Sequence, residues 1–210
     1  MTRLGPLVPG TARLGGAFFA IGSFQFVVAM VATQLYFPGY SDFSNYVSDL
    51  GGPASPWAAL FNDSIRILGV LGVLGTILAR TAFPAKTIAR IGLGFLLLAS
   101  IFAFLVGSFP EGNSLHSPVS AGTFLSSGLA LLFLGVGTFR DTRWDGYRGY
   151  TFISGLVTLI AIGLYELDPG GSALVGLWER LVIAPVLLWA VLAGIHLVRL
   201  PAFAPVRSLT

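Results

Sequence analysis

Three titratable side chains in this sequence could carry out proton transfer together. His116, Asp49 and Glu179 are far apart along the chain, but each lies beside the predicted start of an apolar helix. An imidazole that faces a carboxylate keeps its proton to higher pH, because the negative charge stabilises the imidazolium form. If the three helix starts meet at one end of a bundle, they form an acid and base pair. We therefore predict these three as the catalytic set and expect His116 to hydrogen-bond with Asp49 or Glu179.

Five further polar residues near the same helix starts are predicted to bind a ligand. They are Ser48, Asn62, Asp63, Arg66 and Arg180. The two arginines suit a phosphate group, which a guanidinium binds through charge-assisted hydrogen bonds. Asn62 precedes Arg66 by four residues and Asp63 precedes it by three, so the three side chains share one helix face. The sequence thus predicts an ion pair with an amide beside it.

The depth of Asp63 and Arg66 in the membrane raises two interpretations. Counted from a helix start at Ser55, they lie ~12 and ~16 Å along the helix axis. A charge at that depth is costly when it faces lipid, so we expect the pair to point into the bundle or into a wet cavity. The pair is then either a structural clamp that neutralises itself or the floor of a binding site, and both interpretations stay open.

The elements that must position these residues are membrane-spanning helices. The chain has 210 residues, of which 55% are hydrophobic and 10% charged, and its mean hydropathy is +0.84. A span needs ~20 apolar residues, and six stretches are long enough: 14–37, 57–79, 88–109, 118–139, 149–166 and 178–198. The sequence predicts an all-α fold, a polytopic bundle of six transmembrane helices that forms a single integral membrane domain over residues 1–210.

Charged residues predict the orientation of the bundle, because basic residues avoid translocated loops. The basic residues of one side are Arg3, Arg13, Arg80, Lys86, Arg90, Arg140, Arg143, Arg148, Arg199 and Arg207. The acidic residues of the other side are Asp42, Asp49, Glu111, Glu166, Asp168 and Glu179. We predict a multi-pass protein of the cell membrane with both termini in the cytoplasm. The Ser55-Pro56 and Ser117-Pro118 pairs are typical of helix starts and are expected to begin the second and fourth helices.

Several other kinds of site are excluded by the residue types of the chain. It has no cysteine, and its two histidines, His116 and His196, are predicted at opposite ends of the bundle. Neither a thiolate nor a multi-histidine metal site is therefore expected. The sequence contains no phosphate-binding loop, dinucleotide fingerprint or G-x-S-x-G motif. We predict no metal and no cofactor, and the charge pattern does not indicate nucleic-acid binding.

Short motifs along most of the chain resemble a known family. The motifs are 46–51 (YVSDLG) with Pro56 and Phe61, 107–110 (GSFP) with His116, 121–124 (AGTF) and 178–180 (WER). They resemble the domain of unknown function 998 family of small prokaryotic six-helix proteins, which has no agreed activity. More distantly, the Ser-Asp-x-Gly loop and the histidine before the fourth helix resemble the group of DRAM autophagy modulators, Frag proteins and Sfk proteins. That resemblance implies work on or beside lipids, with Ser48, Asp49, His116 and Glu179 as motif residues.

Three functions are consistent with the sequence. The first is a lipid-binding protein, with or without catalysis, whose headgroup pocket opens sideways to lipid. The second is a transporter of ions or small solutes, which needs a polar path across the whole membrane. The third is a non-catalytic assembly or sensing protein, which predicts a tightly paired polar cluster and no cavity. We favour the first, because the candidate groups are all at one end and the distant resemblance points to lipids. Its expected partners are membrane lipids, not nucleic acid, and a homo-oligomer is compatible with the sequence.

Overall fold

Six long α-helices make up the described part of the chain. The structure, a computed structural model, describes residues 8–167 and 173–201. The helices are α1 (Gly10–Leu35), α2 (Ala58–Ala79), α3 (Thr87–Ser108), α4 (His116–Gly137), α5 (Arg148–Leu167) and α6 (Val175–Arg199). All six are long and apolar enough to cross a membrane. The predicted all-α fold with six membrane-spanning helices is confirmed, and the boundaries differ from the predicted ones by a few residues.

Two predicted helix starts are displaced. α2 begins at Ala58, after the Ser55-Pro56 pair, and α4 begins at His116, so that the second Ser-Pro pair lies in its first turn. Neither helix has a side-chain hydrogen bond at its N-cap. Proline is tolerated throughout the first turn, where its missing N–H has no intrahelical partner to lose. A Ser-Pro pair therefore locates these helix starts only to within one turn.

The helices are arranged in a ring. Each helix packs against the next one along the chain, and α6 closes the ring by packing against α1. α4 also contacts α6, so α5 packs on the outside of these two helices. The backbones of α1 and α6 meet at glycines: a β-carbon added to Gly194 would lie 2.8 Å from the Ala20 nitrogen, and one added to Gly16 would lie 2.7 Å from the Gly194 oxygen. Small residues let two membrane helices approach this closely.

The two ends of the ring differ in charge. At one end, here called the acidic end, α1, α3 and α5 finish and α2, α4 and α6 begin; its acidic residues are Asp42, Asp49, Glu111, Glu166 and Glu179. The other end, called the basic end, has Arg13, Arg80, Lys86, Arg90, Arg140, Arg143, Arg148 and Arg199. His116 lies at the acidic end and His196 at the basic end, as predicted. Arg3, Asp168 and Arg207 of the predicted distribution lie outside the described residues.

The orientation of the ring in the membrane is a prediction from these charges. Cysteine in place of Ser114, which is exposed at the acidic end, should react with an impermeant thiol reagent added to intact cells. Cysteine in place of Thr81, which is exposed at the basic end, should react only after the membrane is permeabilised. The natural chain has no cysteine, so each variant would carry a single labelling site. The reverse labelling pattern would put the acidic end in the cytoplasm.

Candidate functional site

The connection between α1 and α2 folds into the acidic end of the ring. Its central part, residues 46–52 and here called the 46–52 turn, includes a short 3-10 helix, Ser48–Gly51. Val47 and Leu50 are three residues apart and are 3% and 0% exposed. They pack in one apolar cluster with Phe26, Phe61, Ile65, Ala103 and Val106. The "YVSDLG" motif is therefore an inward-folded turn that covers the mouth of the ring.

Glu179 holds the beginning of this turn. Its Oε2 atom accepts a hydrogen bond of 2.6 Å from the Val47 N–H. Asp49 acts similarly within the turn, since its Oδ2 atom accepts a bond of 3.0 Å from the Tyr46 N–H. The first N–H groups of a short helix have no partner within it, so an acceptor side chain satisfies them. The predicted catalytic residues Glu179 and Asp49 thus both bind the backbone of the 46–52 turn.

Asn62 holds the other end of the turn. Its Nδ2 atom donates a hydrogen bond of 2.9 Å to the Gly51 carbonyl oxygen, and the Asn62 side chain is buried. A β-carbon added to Gly51 would lie 3.0 Å from a ring carbon of Phe61 and would also clash with the Asn62 amide. The close approach of the turn to α2 therefore requires glycine at position 51. Asn62 was predicted to bind a ligand, and in the structure its amide binds the turn.

Arg180 fastens the loop before the turn to α6. Its Nη2 atom donates to Asp42 Oδ1 at 2.7 Å and to the Tyr40 hydroxyl at 2.9 Å, and its Nη1 atom donates to the carbonyl oxygens of Asp42 and Gly176. Tyr40 in turn donates to the Tyr46 carbonyl oxygen at 2.9 Å. Burial raises the pKa of Tyr40 to about 12 although Arg180 acts in the opposite direction, so the hydroxyl stays protonated and remains a donor. Both Nη atoms of Arg180 are thus occupied by partners within the chain, whereas Arg180 was predicted to bind a phosphate group.

His116 pairs with a carboxylate other than the predicted ones. Its Nδ1 atom lies 2.8 Å from the Phe109 carbonyl oxygen. Its Nε2 atom lies 3.1 Å from Glu111 Oε2 and 3.3 Å from the Ser120 hydroxyl. The expected pairing with Asp49 or Glu179 is therefore wrong, because both ring nitrogens have partners within α4 and the loop before it. The carboxylate that contacts His116 is Glu111.

The Asp63–Arg66 ion pair is present, but it lies on the outside of the ring. Arg66 Nη1 is 2.5 Å from Asp63 Oδ1, and the two side chains are 39% and 63% exposed. The expectation that the pair points into the bundle is wrong, because Asn62 and Ile65 take the inward positions on this part of α2. The stem of Arg66 lies over Gly107 of α3. The pair is therefore an outward-facing feature at the seam between α2 and α3.

A groove continues from this pair along the outer surface, between α2 and α3. It has a volume of about 280 Å³, and its lining residues are Gly69, Val70, Val73, Leu74, Ile101 and Phe104. Its floor is the place where the two backbones touch: a β-carbon added to Gly69 would lie 2.5 Å from the Phe104 nitrogen. The groove is apolar and begins one helical turn beyond Arg66.

A chamber of about 140 Å³ lies inside the ring beneath the 46–52 turn. Aromatic and aliphatic side chains of α1, α2, α3, α4 and α6 form most of its wall. The polar residues of the lining are Ser23, Ser48, Ser100, Ser120, Thr123, Ser127 and Glu179. Toward the basic end the chamber stops at Phe19, Leu96 and Trp189, which belong to the apolar core that fills the rest of the ring. The chamber therefore extends from the acidic end to past the middle of the ring and does not reach the basic end.

One comparison with known proteins identifies the family. A family model described as protein of unknown function (DUF998) matches residues 20–196. The chain belongs to the DUF998 family. No curated protein and no solved structure matches it. The matched region of this DUF998 protein includes the 46–52 turn, the Asp63–Arg66 pair and every residue that lines the chamber except Phe18 and Phe19.

Two residues of this DUF998 site, Glu111 and Asp42, were not among the predicted site residues. Each is the partner of a predicted cation: Glu111 of His116, and Asp42 of Arg180. Glu111 precedes His116 by five residues. Pairing His116 with the nearest acidic residue along the chain would therefore have found it. The same rule would not have found Asp42 for Arg180, because that pair joins residues 138 positions apart.

Proposed function

We propose that this protein binds a phospholipid on its outer surface, with the headgroup at the Asp63–Arg66 pair and an acyl chain in the groove between α2 and α3. The observation that carries the proposal is the exposure of this ion pair on the outward face of a membrane-spanning helix. Arg66 suits the phosphate of the headgroup and Asp63 suits an ammonium group beside it. A zwitterionic lipid with a primary amine, such as phosphatidylethanolamine, offers both charges.

The depth of the pair supports this proposal. Trp57 and Tyr36 are exposed and stacked, with ring centroids 4.5 Å apart, and such aromatic residues mark the level of the headgroups. Asp63 and Arg66 follow Trp57 by six and nine residues, which puts them ~9 and ~13 Å deeper. Charges that face lipid at that depth are costly unless a polar group meets them. A headgroup drawn down to the pair would supply that polar group.

The arrangement of the acidic end favours binding over modification of the lipid. The imidazole of His116 is held by Phe109, Ser120 and Glu111, while Glu179 and Asp49 hold the 46–52 turn. A transporter would need a polar path through the ring, whereas the chamber stops at an apolar core. The predicted roles of His116, Asp49 and Glu179 in catalysis are therefore not part of the proposal.

The proposal is tested with Arg66→Gln, which removes the guanidinium charge but keeps an amide that can donate to Asp63. Thermal unfolding of the variant in detergent checks that it is folded. Binding of phosphatidylethanolamine to the detergent-purified protein is measured by native mass spectrometry, with phosphatidylglycerol for comparison. The wild type should prefer phosphatidylethanolamine. Arg66→Gln should weaken its binding about tenfold or more, since a hydrogen bond to a charged group contributes ~1.5–3 kcal/mol.

A second ion pair provides the matched control. Asp145 and Arg148 have the same spacing of three, a bond of 2.7 Å, and similar exposure of 59% and 38%, but they lie at the basic end. Arg148→Gln should therefore leave binding of phosphatidylethanolamine unchanged. Equal weakening by both variants, or none by either, would refute a headgroup site at Asp63 and Arg66.

A further inference from the structure

We infer that the chamber beneath the 46–52 turn is a binding site for a small apolar amine, with the ammonium group at Glu179 and the apolar part among the aromatic side chains. This site is separate from the surface groove and goes beyond the proposed binding of phospholipid. Its volume of about 140 Å³ is close to that of an engineered apolar cavity of ~150 Å³ that takes up benzene. A single aromatic ring or a short branched chain therefore fits the space.

The charge of the site selects a cation. Glu179 lines the chamber and is 5% exposed. Within the described part of the chain, no basic side chain forms an ion pair with it, and the neighbouring Arg180 is directed to Asp42 and Tyr40 instead. A carboxylate has lone pairs for about four hydrogen bonds, and the Val47 N–H takes one of them. A buried carboxylate without a cation is unfavourable, so an ammonium group that reaches it gains both charge and hydrogen-bond partners.

Three hydroxyl groups of the chamber wall also favour a ligand that donates hydrogen bonds. Ser100, Thr123 and Ser127 each donate their hydrogen to a carbonyl oxygen of their own helix, at distances of 2.8, 2.9 and 2.8 Å. A hydroxyl that has given away its hydrogen retains only acceptor capacity. These three hydroxyls and Glu179 therefore offer acceptors to a ligand whose polar group donates. An ammonium group has three hydrogens to donate to them.

The experiment compares 4-fluorobenzylamine with 4-fluorobenzyl alcohol, which has a similar shape and no charge. Binding of each to the detergent-purified full chain is measured by fluorine NMR of the ligand, with empty micelles subtracted. The wild type should bind the amine at least about tenfold more tightly than the alcohol. Glu179→Gln keeps an oxygen for the Val47 N–H but removes the charge, so the preference for the amine should fall to near onefold while binding of the alcohol remains.

Two alanines of α6 make a matched pair for the location of the ligand. Ala190 lines the chamber, whereas Ala184 is exposed on the outside of the same helix. Ala190→Phe should abolish binding of both compounds, and Ala184→Phe should not change it. Equal affinity of the wild type for amine and alcohol, or amine binding that survives Ala190→Phe, would overturn the inference even if Glu179→Gln fails to fold. Arg66 does not line the chamber, so Arg66→Gln should leave amine binding unchanged. The amine inference and the phospholipid proposal can therefore fail independently of each other.

Discussion

Replacement of Glu179 by alanine is expected to lower the free energy of unfolding by roughly 1–3 kcal/mol. The change leaves the N–H group of Val47 without its acceptor at a buried position, and an unsatisfied buried donor costs about that much. Thermal unfolding in detergent measures the loss of stability. Hydrogen exchange of residues 46–52 measures where it acts, because the turn should exchange faster while the helices stay protected.

Two other variants test whether the loss of stability comes from the lost hydrogen-bond acceptor of Glu179 or from the loss of a negative charge at the acidic end. Glu179→Gln keeps one acceptor oxygen and should recover most of the stability. Glu166→Ala removes an exposed carboxylate from the acidic end of the neighbouring helix and should have little effect. If Glu179→Ala were as stable as Glu166→Ala, the carboxylate would not be what holds the 46–52 turn.

Replacement of Gly194 by leucine is expected to separate α1 from α6 and to open the ring. A β-carbon at this position would lie 2.8 Å from the Ala20 nitrogen, and backbone atoms cannot move aside as a flexible side chain can. Overpacking of an interior costs ~1–3 kcal/mol even where side chains can adjust, so we expect a loss at or above that range. The measurement is again thermal unfolding in detergent, together with the yield of folded protein.

Gly94 provides the control for this change. It lies within α3, is exposed on the outside of the ring, and a β-carbon there would meet nothing within 4 Å. Gly94→Leu should therefore be neutral or slightly stabilising, since leucine favours helix more than glycine does. Equal destabilisation by Gly94→Leu and Gly194→Leu would mean that the glycine contact does not close the ring.

The positions of the helices along the chain could be predicted because they depend on local hydropathy alone. Runs of ~20 apolar residues have no alternative to spanning as helices, and the six predicted runs agree with the six helices. The six apolar runs also predict at which end of the ring each polar residue of a loop lies. His116, Asp49 and Glu179 were accordingly predicted at one end of the bundle, and the structure places all three there.

The partners of these residues could not be predicted, because hydropathy gives depth and not direction around a helix. Apart from Thr76 and the polar residues at 62–64 and 66, α2 is apolar on every side, so its hydropathy does not show which side faces inward. The ion pair was expected inside because of its depth, whereas the structure turns the single amide inward and the pair outward. An amide can satisfy one backbone group in the mouth of the ring without carrying a charge into it.

The inward fold of the 46–52 turn was also missed, because its polar residues are typical of a loop. Ser48 and Asp49 were predicted as site residues of this loop, but Val47 and Leu50 are three residues apart and both are buried against the ring. That apolar pair was the available signal. What it could not show is the carboxylate that holds the turn, since Glu179 follows Val47 by 132 residues.

The closure of the ring by its last helix has a consequence for synthesis. α2 to α5 each pack against the helix made just before them, so these contacts can form as the chain enters the membrane. Two parts of the chain gain their partners only when α6 is made: the glycines of α1 that pack against α6, and the 46–52 turn that Glu179 holds. At ~5–20 residues per second, the 132 residues between Val47 and Glu179 take on the order of ten seconds to translate. During that interval the nascent protein has an uncovered seam, and it is then that membrane chaperones and proteases would find it.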